Sequence, residues 1–251
     1  MPGNIKKIIG FQLSGKFAHF RKFYTNSSSL SYSLPPRTVI CGMLASILKI
    51  SRDEYYDLFS PENMKISVMI DDDTKLRKIN QSINYLHDKY FNLLIGKAGK
   101  VQHSQCKFEL LTSKEKIKYQ IFVGILNGKP EFDELEDKLK KRNFGYGIYL
   151  GQRQFSADID NVVIYESDSI KHYDVFDKID SVCVDDSVKD LDIVASTGIV
   201  QKEKMPADFL KIGNGREIQD VKNLIFEQSG KRLYGQFNDI YEVDNQYLYF
   251  Y

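Results

Sequence analysis

Residues 1–52 contain no Asp and no Glu, although the whole chain of 251 residues balances 34 acids against 35 Lys and Arg. Cysteine is scarce: Cys41, Cys106 and Cys183 are far apart, odd in number and in no Cys-x-x-Cys spacing, which argues against both a disulfide framework and a zinc site. The four histidines, His19, His87, His103 and His172, show no paired metal-ligand spacing, so no metal and no other cofactor is expected. No apolar run reaches bilayer length and residues 1–13 lack a signal-peptide core, so the expectation is a soluble, cytoplasmic protein with no membrane partner. Internal repeats and low-complexity segments are also missing.

What the leading segment does contain is eight bases, which leaves 27 against 34 acids in the remainder, a deficit of seven. Those bases alternate with rings and hydroxyls: Lys16, Phe17, His19, Phe20, Arg21, Lys22, Phe23 and Tyr24, then Ser27, Ser28, Ser29, Ser31 and Tyr32. Cations for phosphates and rings for bases are the two requirements of single-stranded nucleic acid binding. A solvated basic face over a core of alternating aromatics would produce the same composition.

Apolar periodicity predicts strands over 5–13, 65–70, 119–126 and 162–166. Pro35 and Pro36 open a helix in which Val39, Ile40, Met43, Leu44, Ile47 and Leu48 recur at helical spacing. A second helix over 131–142 carries acids at its start, bases at its end and Phe132, Leu135 and Leu139 on one face. Strand, helix, strand, then strand, helix, strand is the split arrangement of ferredoxin-like and RNA-recognition-motif domains, an α+β class. The domain is expected over 1–166, interrupted at about 74–118 by an insertion too long for a turn, and followed by a small β-rich extension over 167–251. Within the insertion, Leu76, Ile79, Ile83, Leu86, Tyr90 and Leu94 repeat at helical spacing, while 106–111 reads as extended; helix or hairpin is left open. Asp174, Asp177, Asp180, Asp185, Asp186, Asp190 and Asp192 are spread along the chain and suggest a solvated or protein-facing surface.

Two segments carry a family resemblance. The first has Gly15, Ala18, Phe20 and Arg21, then Ser29, Ser31 and Tyr32 before Pro35, Pro36, Arg37 and Thr38; the second, 144–155, has Tyr149, Leu150, Gly151 and Arg153. Together they resemble the Cas-five family of the RAMP superfamily, the CRISPR-associated subunit that caps the guide-RNA 5′ handle in type I Cascade, and most nearly its type I-B forms. The resemblance covers about the first two-thirds of the chain. It implies a ferredoxin-like domain with an inserted thumb and a glycine-rich loop, working in an antiviral ribonucleoprotein complex. The implied partners are the guide RNA 5′ handle, the backbone and large subunits, and target DNA near the recognition motif.

From residue type, Arg21, Lys22 and Arg37, with Lys16, are candidate phosphate ligands, and Ser27, Ser28 and Ser29 offer hydroxyls. Phe20, Tyr24 and Tyr32 are candidate stacking platforms, at least one of them expected in the core, and His19 lies among them. Gly145, Gly147 and Gly151 permit close backbone approach, with Arg153 beside them, and turn glycines are the simpler alternative. Lys97, Lys100, Gln102 and His103 form either a basic finger of the thumb or an ordinary loop. One branch of the family cleaves precursor guide RNA without metal, using a Tyr, Lys, His set; the only adjacent Lys and His here are Lys171 and His172, outside the matching segments. A non-catalytic RNA-binding subunit is therefore expected. The alternatives are that endoribonuclease and a structural assembly protein without RNA contact.

Overall fold

A computed structural model describes residues 5–25, 29–72, 74–86, 103–213 and 215–251. Ile8, Ile9, Phe11 and Leu13 are all buried in β1 (Lys7–Ala18), a near-continuous apolar run that fits a strand covered on both faces. It pairs antiparallel with β6 (His103–Ile125) on one side and β7 (Asp158–Glu166) on the other, and β4 (Met64–Ile70) pairs with β6, giving the order β4-β6-β1-β7. Alternation then separates the side chains. Ile9, Phe11, Leu13, Ile121 and Val123 join one core with both helices, α1 (Arg37–Leu48) and α2 (Pro130–Lys141). Ile8 and Phe122 face the other way, onto Tyr241, Val243, Leu248 and Phe250 from the C-terminal strands. The central sheet is thus the middle of three layers.

Both helices form where the sequence places them. In α2, Glu131 and Asp133 occupy the first turn and Lys138, Lys140 and Lys141 the last, complementing the helix dipole. Three pairs spaced i,i+4 line its surface, and Lys7 Nζ reaches Glu136 at 3.0 Å to tie it to β1.

The insertion is extended where it is described. β5 (Arg77–Leu86) pairs with the first half of β6 from Arg77↔Thr112 to Leu86↔His103, and the β1–β6 register breaks between Gly15 and Phe17, where the ladder steps from Ile117 to Thr112. Ile79 and Ile83, read above at helical spacing, are four apart, which also keeps them on one face of a strand; both are more than one-third exposed, so no core waits to bury a helix there. Residues 90 and 94 lie outside the described residues.

The C-terminal third is antiparallel sheet: β8 (Lys171–Ile179), β10 (Val188–Leu191), β13 (Leu233–Val243) and β14 (Gln246–Tyr249) in one, β9 (Cys183–Val184), β11 (Val200–Ile212) and β12 (Gly215–Glu227) in the other. Most of its aspartates are exposed, as expected of a solvated surface, whereas Asp180 is a half-buried strut. Asp180 receives a bidentate pair from Arg232 (2.7 and 3.0 Å) and the Tyr247 amide, while Asp192 Oδ1 accepts from the amides of Val194 and Ala195.

Arg37 locks the layers together. Its guanidinium is 1% exposed and donates to the carbonyls of Phe59 (2.5 Å), Met64 (3.1 Å) and Ala207 (3.1 Å), with Asp208 at 3.5 Å. Arg37→Met removes the cation facing the half-buried Asp208 carboxylate and should cost roughly 3 kcal/mol of unfolding free energy. Urea denaturation checks this, and a loss below about 1 kcal/mol would show that the guanidinium is not a strut.

Candidate nucleic-acid interface

Past β1 the chain turns through β2 (Phe20–Arg21) and returns as β3 (Ser31–Tyr32), a two-residue pairing of Phe20 with Tyr32 and Arg21 with Ser31. Alternation again decides which side chains face water. Phe20 and Tyr32 are 1% and 0% exposed, packed edge-on to Tyr119 in the first case and donating a hydroxyl to the Lys204 carbonyl at 2.7 Å in the second. Neither offers a ring to a base, which corrects two of the three stacking candidates. Tyr24 is half exposed, edge-on to Phe23, and Arg21 is exposed.

His19 is also internal, 1% exposed and stacked on Phe108 at 4.0 Å. A carbonyl only accepts, so Nδ1 carries the proton and donates to the Glu109 carbonyl at 2.7 Å, leaving Nε2 to accept the Ser29 hydroxyl at 2.9 Å. Ser29 is held further by its amide on the Lys107 carbonyl. Burial pushes the His19 pKa below its ordinary value, against the opposing pull of the Glu109 carbonyl.

Two of the sequence-nominated cations are spent on internal acids. Arg37 is the buried strut described above. Lys22 Nζ lies 3.0 Å from Glu203 and 5.3 Å from the Tyr32 ring centroid; burial opposes its charge, but Glu203 outweighs it and the pKa lies above the usual lysine value. Lys16 is exposed on β1, with Nζ over the Phe17 ring. Ser27, Ser28, Lys97, Lys100 and Gln102 lie outside the described residues, as does the side chain of His103.

The loop over 144–155 is laid against the protein itself. The amides of Gly145 and Tyr146 donate to the Ile47 and Ser46 carbonyls in the C-terminal turn of α1, the second of which also accepts from the Lys49 amide. A Cβ at Gly145 would come within 2.2 Å of Lys49 Cγ. Gly151 has φ +86°, and a Cβ there would lie 1.9 Å from the His19 carbonyl oxygen. A Cβ at Gly147 would meet nothing within 4 Å. Two of the three glycines therefore serve close approach to the chain's own backbone.

Between this loop, α1 and the β11–β12 hairpin lies a cleft of about 850 Å³. Arg21, Arg52 and Arg216 line it from three separate segments, together with Phe23, Tyr146 and Tyr149, and no Asp or Glu is among its described lining residues. Tyr146, Tyr149 and Phe23 are 59%, 42% and 40% exposed, a level that leaves ring faces open to solvent. Thr38, Ser46, Gly147 and Gly151 complete the wall. Cations, open rings and hydroxyls are what a sugar-phosphate chain with unstacked bases requires. Arg153 is exposed on the same loop but does not line the cleft.

Residue-by-residue reading missed Arg52, Tyr146 and Arg216. The first ends the acid-free stretch and the second stands between two nominated glycines. The third follows the Gly-Asn-Gly turn at 213–215, a hairpin signal between segments of alternating character. Lys171 and His172 lie on β8 outside the cleft and take separate partners, Glu242 at 3.3 Å and Asp239 at 2.7 Å.

No protein-family model and no curated protein matches the chain. Among solved structures, it is similar to a chain of a CRISPR RNA-guided surveillance complex at 14% identity, covering 87% of this chain and 89% of that one, with a TM-score of 0.49. It is similar also to a chain of the Type III-B Cmr-beta complex bound to cognate target RNA and AMPPnP (14% identity, 91% and 86% covered, TM-score 0.44). A third similarity is to a Cas protein crystal structure (15% identity, 58% and 57% covered, TM-score 0.36).

The depressed pKa of His19 has a consequence for stability. The unfolded chain takes up the proton first as pH falls, so this contribution is complete above about pH 6.5 and is lost as pH drops through the unfolded value toward the folded one. The melting temperature should decline from about pH 7 to about pH 5, and His19→Gln should flatten that decline. An equally steep decline in the variant would assign it to other groups.

Proposed function

We propose that the chain is an RNA-binding subunit of a type I CRISPR surveillance complex and that the cleft holds the 5′ handle of the guide RNA. The observation that carries this reading is the cleft itself. Three arginines and three open aromatic rings converge there with no carboxylate among the described lining residues, and Arg21, Tyr149 and Gly151 belong to the two segments that resemble the Cas-five family. The strand order β4-β6-β1-β7, with a helix after β1 and another after β6, supports reading 1–166 as the ferredoxin-like domain. The β5–β6 ribbon is then the thumb, directed at the backbone subunit, and 167–251 is the extension that faces the large subunit. Target DNA near the recognition motif is a further partner in this reading, and type I-B is the subtype proposed.

The role is proposed as binding rather than catalysis. The one adjacent Lys–His pair lies outside the cleft, with each side chain engaged by its own carboxylate.

Labelled single-stranded repeat RNA should bind the purified chain with log affinity falling against log salt at a slope of about −0.7 per phosphate held, or roughly −2 for three arginines. Arg21→Glu should weaken binding at least tenfold by fluorescence anisotropy, roughly the worth of one phosphate contact turned repulsive. The absence of RNA binding would remove the proposal. Discrete cleavage of the repeat RNA without metal would replace it with the endoribonuclease reading.

A further inference from the structure

We infer that the β11–β12 hairpin is the second wall of the RNA site and that its Arg216, with Arg52, binds phosphates of a strand passing between the hairpin and α1. The inference rests on the RNA-binding reading above and extends the binding surface into the C-terminal third of the chain.

The root of the hairpin is fixed to the N-terminal part by the Tyr32 hydroxyl on the Lys204 carbonyl, by Arg37 on the Ala207 carbonyl and by the Lys22–Glu203 pair. Its outer half is thereby held along α1. The register pairs Phe209 with Ile218 and Lys211 with Arg216, so strand alternation puts these four on one face. Phe209, Arg216 and Ile218 of that face line the cleft, and the Arg216 guanidinium lies 4.7 Å over the Phe209 ring with 38% of its side chain exposed.

Asp53 holds the two arginines as a pair: its carboxylate is 3.5 Å from Arg216 and 3.3 Å from Arg52, yet it does not line the cleft. It lines an adjoining groove, about 930 Å³, together with Glu54, Asp57, Glu62, Asp208 and Asp220, with Lys211 the one base among its described lining residues and Phe209 shared with the cleft. Arginines thus gather in the cleft and carboxylates in the adjoining groove. A polyanion is therefore admitted on the arginine side and repelled from the other, with Phe209 and Ile218 available as an apolar rest for a base.

Anisotropy titrations of the full chain with labelled single-stranded RNA across a salt series test this. Arg216→Gln and Arg52→Gln should each weaken binding and reduce the salt slope by about 0.7, and Arg216→Lys should restore the slope. Phe209→Leu should weaken binding roughly fivefold or more without altering the slope. Wild-type affinity and slope in Arg216→Gln, alongside a loss in Arg21→Gln, would overturn the hairpin's part and leave the proposed function standing. Failure of the wild-type chain to bind RNA would overturn both. Should Arg216→Gln not fold, Ile218→Glu decides: weaker binding supports the inference, and unchanged binding overturns it.

Discussion

The buried guanidinium of Arg37 is the constraint on which the geometry of the cleft depends. A charge withdrawn from water needs compensation, and here three carbonyls and a carboxylate from three separate segments engage the two terminal nitrogens, leaving only Nε without a partner. Those segments are the loop after α1, the start of β4 and strand β11. Arg37 is itself the first residue of α1, so a single side chain sets the distance between the helix and the C-terminal hairpin, which are two walls of one cleft. The partner responds in kind: burial raises the Asp208 pKa and Arg37 pulls it back down.

The second constraint is that the central strands β4, β6 and β1 are covered on both faces, whereas β5 at the edge is exposed. Helices cover one side and the strands carrying Tyr241, Val243, Leu248 and Phe250 cover the other. A sheet of this kind can present aromatics to RNA only if one face is left open. With both faces of the central strands closed, a site within the packed body lies where elements meet at their ends. The cleft is at such a place, between the end of the β2 turn, the surface of α1, the 144–155 loop and the hairpin.

Much of the fold was legible because its signals are local. Apolar runs gave the four sheet strands to within a few residues at most of their ends, and paired prolines and charge polarity gave both helices. The main exceptions were long-range. Strand β1 runs on to Ala18 because β6 pairs with it that far, and no residue near Gly15 announces this. Ile79 and Ile83 satisfy both a helix and a strand, and only β6 decides between them. The candidate site was less legible for the same reason. Burial of Phe20 and Tyr32 follows from a two-residue pairing, and exposure of Tyr146 follows from the loop's attachment to Ser46 and Ile47. Neither is encoded in the composition of its own segment.

The acid-free opening served two physical ends that composition could not separate. Three of its eight bases are partnered by acids from far along the chain: Lys7 by Glu136, Lys22 by Glu203 and Arg37 by Asp208. Keeping acids out of the segment ensures that these cations find no local partner and must seek long-range ones, which favours docking of α2 and β11 in one register. The bases left on the surface are Lys6, Lys16, Arg21, Lys49 and Arg52, and only Arg21 and Arg52 line the cleft. The third cleft arginine, Arg216, comes from the part of the chain where acids outnumber bases. Net charge by segment therefore marks where folding needs counter-ions as much as where a ligand is held, and the two uses separate only when each cation is traced to its partner.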